Sequence, residues 1–415
     1  KKRLFSALLS LCLAASLFPI GVLAAEGDAA TEKATVNVTA GTTNYTTSEP
    51  TKFVVSGAVT LSGSGDAFTI TQDSELVFET GASLTLIGYT NGFVIQDAVL
   101  SGGGWVIHDG DGMDLIRLKT GGQLDITGDV DLNGYSKTES TSRGIILEST
   151  AANGGQQITL AANTTLSANN FYRGLESGGA KDYTVSGAGM DSSTFDFKNN
   201  TVGMALSYFD ENANYEDCKL DVSNCVENGI FMRQDNAAIW GLNFDGVNIH
   251  CVNSTDTSGI AIRFHAGPFR FDNSVMTIDG STTTGLWIYD GWDATRTGSG
   301  ISNSTITVKN VEGNALQYNG KAITMAICHD WIIDGSTIAV DNCGYAGINL
   351  SNDTRVSGSF FEGYTAVPGM VGGKLIITDS NHVDARSAVD FALDCAWGKE
   401  ENDFELVLSG ASTID

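Results

Sequence analysis

Basic residues and proline are both scarce in this sequence. Lysine and arginine total 23 against 49 aspartates and glutamates, which leaves a formal net charge of -26. Such an acidic surface repels nucleic acid and anionic lipid, so we expect no nucleic-acid partner. Only 4 prolines stand beside 49 glycines, and the sequence shows little sign of amphipathic helix. The composition favours an extracellular β-rich protein over a helical or nucleic-acid-binding one.

Long apolar runs are absent after the first residues. The segment KKRLFSALLSLCLAASLFPIGVLAA has a basic head, an apolar run and a small-residue end. This pattern predicts a bacterial secretory signal at residues 1–24, cleaved after Ala24. No later segment is apolar enough to span a bilayer, so we expect no membrane insertion after signal cleavage. The first residue is not Met and nothing terminates the chain at Asp415. We therefore expect a fragment of a secreted protein, with cell-wall attachment or further domains beyond it.

A degenerate repeat runs through the middle of the chain. Each copy begins with a large apolar residue, followed by a compact residue three places on and apolar residues five and seven places on. Asparagine follows nine places on in every copy except one, where Gly280 stands. The copies begin 25, 29, 27, 30 and 32 residues apart, at Met190, Tyr215, Phe244, Phe271, Ile301 and Ile333. A second apolar segment, such as GIFM at 229 or GLWI at 285, follows each copy.

Alternation of apolar and polar residues with period two predicts β-strands with one face inward. Strands that recur at this spacing without helices predict one solenoid turn per copy. The inward column, which we expect to form an apolar core, is Leu220, Ile249, Met276, Ile306 and Ile338. We expect the asparagine column to form a buried ladder, each amide bonding to its neighbours above and below.

These features resemble the right-handed parallel β-helix of the pectin-lyase-like superfamily. The resemblance rests on the coil period, the asparagine column and the strand after it, and covers residues 190 to 350. It implies an all-β, single-stranded parallel β-helix with coils of about 20–32 residues. We expect residues 25–65 to hold an N-terminal cap and the first strands, and 66–415 to form one continuous β-helix. In the N-terminal half, TGASLTLIG from Thr80 and TGGQLDITG from Thr120 suggest two coils of about 20 residues.

The second apolar segment of each copy also alternates, so every other side chain in it is expected on the outer face of the solenoid. The predicted outward pairs include Phe231 with Arg233, Ala261 with Arg263, and Trp287 with Tyr289. Exposed aromatic residues on a rigid sheet are expected either to bind a ligand or to be covered by other parts of the chain. Aromatic rings can stack on sugar rings, and arginine beside them can bind hydroxyl or carboxylate oxygens. The predicted ligand-binding residues are Phe231, Arg233, Arg263, Trp287, Tyr289 and Trp292. A covering layer of loops over the aromatic residues remains the alternative.

The superfamily resemblance also implies an enzymatic alternative. Its lyases use several acidic residues with calcium and an Arg base, and its hydrolases use clustered Asp residues. Asp290 and Asp293 are the carboxyl pair in the aromatic region, with Arg233, Arg263 or His265 as helpers. Polygalacturonase-like signatures are absent from the expected coils, so we assign no catalytic residue. A polysaccharide lyase or glycosidase thus stays second to a binding protein.

Two acidic segments bear on calcium, the only cofactor that the sequence suggests. TGDVDLNGYSKTE, residues 127 to 139, spaces Asp129, Asp131 and Asn133 like an EF-hand loop, but its Glu139 comes one position early. Alternation through this stretch predicts a strand with an acidic outer face instead. HDGDGMD has turn glycines and is the better calcium candidate, through Asp109, Asp111 and Asp114.

Cysteine is sparse and its positions suggest no disulfide framework. Six cysteines follow the signal; Cys218 and Cys251 occupy inward strand positions. Cys225 and Cys343 hold equivalent turns about 19 Å apart at sheet spacing, too far to bridge. We expect buried free thiols, a sign of an anaerobic or mildly reducing habitat.

The sequence as a whole predicts a secreted or cell-surface, adhesin-like β-helix that recognises glycans. The alternatives are the polysaccharide-cleaving enzyme and a non-binding stalk.

Overall fold

Strands and turns account for all the described parts of the chain. The computed structural model describes residues 33–41, 43–148, 154–178, 182–206, 211–232, 240–254, 259–265, 269–290, 299–311, 321–327, 331–343, 346–352, 374–378, 382–385 and 405–409. No helix occurs within these ranges, and accordingly none there is long and apolar enough to cross a membrane. The predicted signal at residues 1–24 lies outside them.

The strands fall into three parallel sheets, here called A, B and C. Sheet A has 14 strands: β1 (Ala34–Val38), β3 (Thr51–Val55), β6 (Ser74–Phe78), β9 (Val99–Gly103), β12 (Gln123–Ile126), β15 (Gln157–Leu160), β18 (Thr184–Ser186), β21 (Glu211–Glu216), β24 (Trp240–Asp245), β27 (Phe269–Asp272), β30 (Ser299–Ser302), β33 (Trp331–Asp334), β36 (Lys374–Thr378) and β38 (Glu405–Ser409). Sheet B has 12: β4 (Ala58–Ser62), β7 (Ser83–Ile87), β10 (Trp105–Asp109), β13 (Val130–Asn133), β16 (Thr164–Asn169), β19 (Ser193–Asp196), β22 (Lys219–Asp221), β25 (Asn248–Val252), β28 (Val275–Ser281), β31 (Thr305–Val311), β34 (Thr337–Cys343) and β37 (His382–Ala385). Sheet C also has 12: β2 (Tyr45–Thr46), β5 (Asp66–Ile70), β8 (Asn91–Ile95), β11 (Asp114–Leu118), β14 (Arg143–Leu147), β17 (Arg173–Ser177), β20 (Val202–Leu206), β23 (Ile230–Met232), β26 (Ile260–His265), β29 (Thr284–Asp290), β32 (Lys321–Ile327) and β35 (Ala346–Asn352).

The chain is a parallel β-helix, because successive strands visit sheets A, B and C in turn and each pairs with its equivalent one coil later. Tyr215 pairs with Phe244, Phe244 with Phe271, and Phe271 with Ile301, which gives coils of 29, 27 and 30 residues. The predicted spacing is therefore confirmed for these copies. At the first copy the prediction was wrong, since Val185 rather than Met190 pairs with Tyr215. Five extra residues in the following turn cause that offset.

The core runs along the inside of the three sheets. The predicted inward column is confirmed: Leu220, Ile249 and Met276 are fully buried, and Ile306 and Ile338 are at most 4% exposed. Aromatic rings also stack inside. The ring centroids of Phe68 and Phe93 lie 4.4 Å apart, and those of Tyr215 and Phe244 5.1 Å. Inward side chains from adjacent coils thus pack on one another along the solenoid axis.

The asparagine column is not a buried ladder, contrary to the prediction. Four of its members, Asn199, Asn224, Asn253 and Asn310, are exposed and have φ between 54° and 58°. They form the corner between sheets B and C, which needs a left-handed residue, and asparagine tolerates this conformation better than most residues. Gly280, with φ 86°, serves the same purpose one coil before Asn310. The buried amide is the next residue, Asn200, which accepts a hydrogen bond from Phe171 N at 2.8 Å.

The short repeat predicted in the N-terminal half is wrong as a coil repeat. Ser83–Ile87 lies in sheet B, whereas Gln123–Ile126 lies in sheet A, so the two similar segments are not equivalent. Pairing of Phe53 with Leu76 and of Leu76 with Gly102 gives coils of 23 and 26 residues there. A corner glycine followed by an alternating strand recurs in several sheets, so a nine-residue likeness does not identify the sheet.

The acidic stretch from 127 to 139 contains a strand, as predicted. Within β13, Val130 and Leu132 are buried and Asp131 is exposed. Residues 25–65 already contribute β1 to β4, and β1 pairs with β3 over five residues. A capping role for this segment stays a prediction.

Candidate functional site

A row of three large side chains crosses the outer face of sheet C. Phe231 of β23 pairs with Arg263 of β26, and Arg263 pairs with Trp287 of β29. Strand spacing in a sheet sets neighbours in such a row about 4.8 Å apart. All three side chains are half-buried. Pairing therefore fixes an aromatic–cation–aromatic row, here called the sheet C row, on a rigid support.

The contact between Arg263 and Trp287 is a cation–π stack. The guanidinium carbon of Arg263 lies 4.8 Å from the centroid of the Trp287 ring. This distance is inside the range in which a guanidinium is attracted to an aromatic face. The indole Nε1 of Trp287 is buried and has no hydrogen-bond partner among the described residues. A buried N–H without an acceptor costs about 1–3 kcal/mol.

The composition of this row corrects the sequence-based register. Strict alternation placed Ala261 on the outer face and Arg263 beside Arg233 and Tyr289. Instead Ala261 is fully buried, as is its neighbour Ile262. Ala261 and Ile262 both point inward where the chain enters sheet C. The residue opposite Phe231 is therefore Arg263, two places later than strict alternation predicts. Arg263 consequently lies beside Phe231 and Trp287.

The remaining predicted site residues are only partly described. His265 ends β26 and pairs with Tyr289, and Asp290 ends β29, which places these backbones at one edge of sheet C. Arg233, Trp292 and Asp293 lie outside the described residues. The Asp290 and Asp293 pair therefore stays a prediction.

A network of charged side chains that sequence analysis missed lies on the same outer face, nearer the N-terminus. It connects three coils through Asp114, Arg117, Lys119, Arg143, Glu148, Arg173 and Glu176. Arg143 Nε lies 2.5 Å from Asp114 Oδ1, and its Nη1 lies 3.0 Å from Glu176 Oε2. Lys119 Nζ lies 2.7 Å from Glu148 Oε2. The available signal was one arginine in each of three successive sheet C strands, at the first residue of β14 and β17 and near the end of β11.

The network stabilises the ionised forms of Glu148 and Arg143. Burial opposes ionisation of Glu148, but the Lys119 hydrogen bond and the charges of Arg117, Lys119 and Arg143 outweigh it and lower the pKa of Glu148. Burial likewise disfavours the charged Arg143, yet Asp114 and Glu176 raise the pKa of Arg143 above its usual value. These cations already have carboxylate partners. The network therefore stabilises the contacts between coils and presents little unpaired charge to a ligand.

The calcium candidates of the HDGDGMD segment do not converge. Asp109 is buried and its Oδ1 accepts hydrogen bonds from the backbone N–H groups of Asp111 and Gly112, at 3.2 and 2.7 Å. Asp111 Oδ2 instead accepts from Gly88 N at 2.6 Å. Asp114 belongs to the charged network. No group of three or more metal-ligating side chains occurs in the described part of the chain. Calcium remains an untested prediction that this geometry does not strengthen.

The sheet C row holds one arginine between two aromatic side chains. Arginine offers five N–H donors and tryptophan one, and neither side chain offers an acceptor. Phe231 adds an apolar surface. Such a row suits a ligand that combines acceptor oxygens with an apolar face, and a sugar ring has both.

Comparison with known proteins adds a distant likeness. No protein-family model and no curated protein matches the chain. Among solved structures, a double mutant of the periplasmic alginate epimerase AlgG is 11% identical with a TM-score of 0.41, over 86% of this chain and 78% of that one. The crystal structure of the periplasmic alginate epimerase AlgG itself is 9% identical with a TM-score of 0.31, over 87% and 77%. These values transfer neither activity nor substrate to this chain, whose fold is established by its own strand pairing.

Proposed function

We propose that this protein is a secreted or cell-surface, adhesin-like β-helix that binds carbohydrate on the outer face of sheet C. The observation that carries the proposal is the stack of Arg263 on Trp287, in register with Phe231. Aromatic rings on a sheet bind sugar rings with little loss of freedom, because the scaffold already fixes them.

The loops of the sequence support the same face. RQDNAAI after β23 and YDGWDATRTGSG, which begins at Tyr289 near the end of β29, both carry charged residues, and the second also carries two aromatic residues; β26 is followed by only three residues, 266–268. Because they follow the strands of the sheet C row, they begin at its edge. Rigid scaffolds commonly carry recognition on such insertions. We propose that Arg233, Tyr289 and Trp292 extend the binding surface from these segments.

The test is a panel of neutral and acidic polysaccharides on the mature chain, measured for binding and for product release, with and without calcium. Binding without release is expected. Replacement of Trp287 or Arg263 by Ala should weaken it about tenfold, the order of one stacking or cation–π contact. Val226→Ala is the matched control, because Val226 is 61% exposed and lies at the corner between sheets B and C.

Two outcomes would contradict the proposal. Release of oligosaccharides that Asp290→Asn or Asp293→Asn abolishes would show a polysaccharide lyase or glycosidase, with Arg263 and His265 as its helpers. Absence of both binding and release across the panel would favour a non-binding stalk.

A further inference from the structure

A notch on the molecule lies away from the sheet C row, where sheet A turns into sheet B. Its volume is about 380 Å³, and Val106, Asp129, Asp131, Thr165 and Ser167 line it. The volume is within the range of small-molecule sites, about 300–1,000 Å³. Val106, Asp131 and Ser167 pair in register across β10, β13 and β16, so three coils contribute to one surface.

Missing side chains open this notch. A Cβ at Gly103 would lie 2.1 Å from the backbone N of Gly128, so the corner admits no side chain there. Gly104, with φ +71°, continues the turn and carries no side chain over the surface. Gly104 lines the notch, and a Cβ there would meet no atom within 4 Å, so the space beside Val106 and Asp129 stays open.

The notch presents hydrogen-bond acceptors without cations. Asp129 Oδ1 accepts from Thr165 N at 2.9 Å, which leaves its other oxygen free. Asp131 is exposed and has neither an ion pair nor a hydrogen bond within the described ranges. Ionised carboxylates accept and do not donate, so the ligand must bring donors. Val106 adds an apolar patch beside them.

A polyhydroxylated ligand fits this arrangement better than a metal ion. Residues two apart along an extended chain are separated by about 6.6 Å, whereas calcium needs six to eight oxygens at about 2.3–2.6 Å. Hydroxyls on a sugar ring can reach both carboxylates while the ring rests on Val106. We propose that the notch is a second carbohydrate site, for a single neutral sugar unit, independent of the sheet C row.

The experiment is saturation-transfer NMR of the mature chain with glucose, galactose, mannose and glucuronate, each at millimolar concentration. The proposal expects transfer to at least one neutral sugar, and weaker transfer to glucuronate because the carboxylates repel it. Asp131→Ala should lower the affinity for the neutral sugar about tenfold or more. Asp191→Ala, at an exposed turn outside the notch, should leave it unchanged.

Three results would overturn the second site. The first is absence of transfer to any of the sugars, and the second is equal transfer with Asp131→Ala and with the wild type. The third is loss of transfer with Trp287→Ala, which would assign the signal to the sheet C row. A titration of the mature chain with calcium chloride alone, followed by amide chemical shifts, completes the experiment. Amide shifts at Asp129 and Asp131 that saturate with calcium and exclude the sugar would make the notch a cation site instead.

Discussion

At the scale of single residues, the corner before sheet C decides which side chains reach the surface. Gly203, Gly229, Ala261 and Gly285 occupy equivalent inward positions, and Ala261 is fully buried. A Cβ at Gly229 would lie 2.6 Å from Cys251 Sγ, so there is little space at this position. Alternation identified Phe231, Arg263 and Trp287 as outward, but it could not identify Ala261 as inward. Period two holds only within an uninterrupted strand.

Ala261→Asp should therefore destabilise the protein by about 4 kcal/mol or more, because it buries a charge without a partner. The matched control is Val226→Asp at a site that is 61% exposed, with an expected change within about 0.5 kcal/mol. Thermal unfolding followed by circular dichroism measures both. Equal midpoints for the two variants would place Ala261 on the surface after all.

Three buried cysteines in the middle of the chain should resist modification in the folded protein. Cys218, Cys225 and Cys251 are buried free thiols. Burial raises the pKa of Cys225 to about 11 and raises those of the other two further. Since the thiolate is the reactive form, alkylation at pH 8 followed by peptide mass spectrometry should label none of the three until denaturant is added. Rapid labelling of Cys218 or Cys251 in native protein would refute their burial.

At the scale of strands and corners, the sequence predicted the repeat unit better than its turns. The spacing of Tyr215, Phe244, Phe271 and Ile301 equals the pairing register, because each apolar residue must face the core at the same point of its coil. The asparagine column was located correctly but explained wrongly, since backbone conformation rather than amide bonding selects it. The charged network was missed because it depends on contacts between coils.

The network makes part of the stability depend on pH. The pKa of Glu148 is lowered in the fold, so its contribution is present above the unfolded value of about 4.3 and is lost as pH falls through the folded value. Glu148→Gln should be less stable than wild type at neutral pH, and the difference should shrink below about pH 4.

Thermal unfolding of both proteins between pH 3 and 8 measures this difference. Glu75→Gln is the control, since Glu75 forms an exposed pair with Lys52 at 3.9 Å that contributes at most about 1 kcal/mol. A Glu148→Gln difference that stays constant or grows on acidification would contradict the linkage.

At the scale of the whole molecule, charge is distributed unevenly around the solenoid. The chain carries a net charge of -26, yet four of the five arginines in the described ranges project from sheet C. They are Arg117, Arg143, Arg173 and Arg263, and only the last belongs to the aromatic row. The alternation and the period of the sequence predict the solenoid and this outer face. They do not predict the notch, because residues of three different coils line it.

The central claim is that a carbohydrate lies on the sheet C row, and hydroxyl-radical footprinting tests it most directly. The mature chain would be oxidised with and without the tightest ligand of the polysaccharide panel, and modification quantified by residue. The account predicts that the ligand protects Phe231 and Trp287, while Tyr135, which is 59% exposed on another part of the surface, is oxidised equally in both samples. Unchanged oxidation of Phe231 and Trp287 under saturating ligand, with protection confined to sheet A or sheet B, would contradict it.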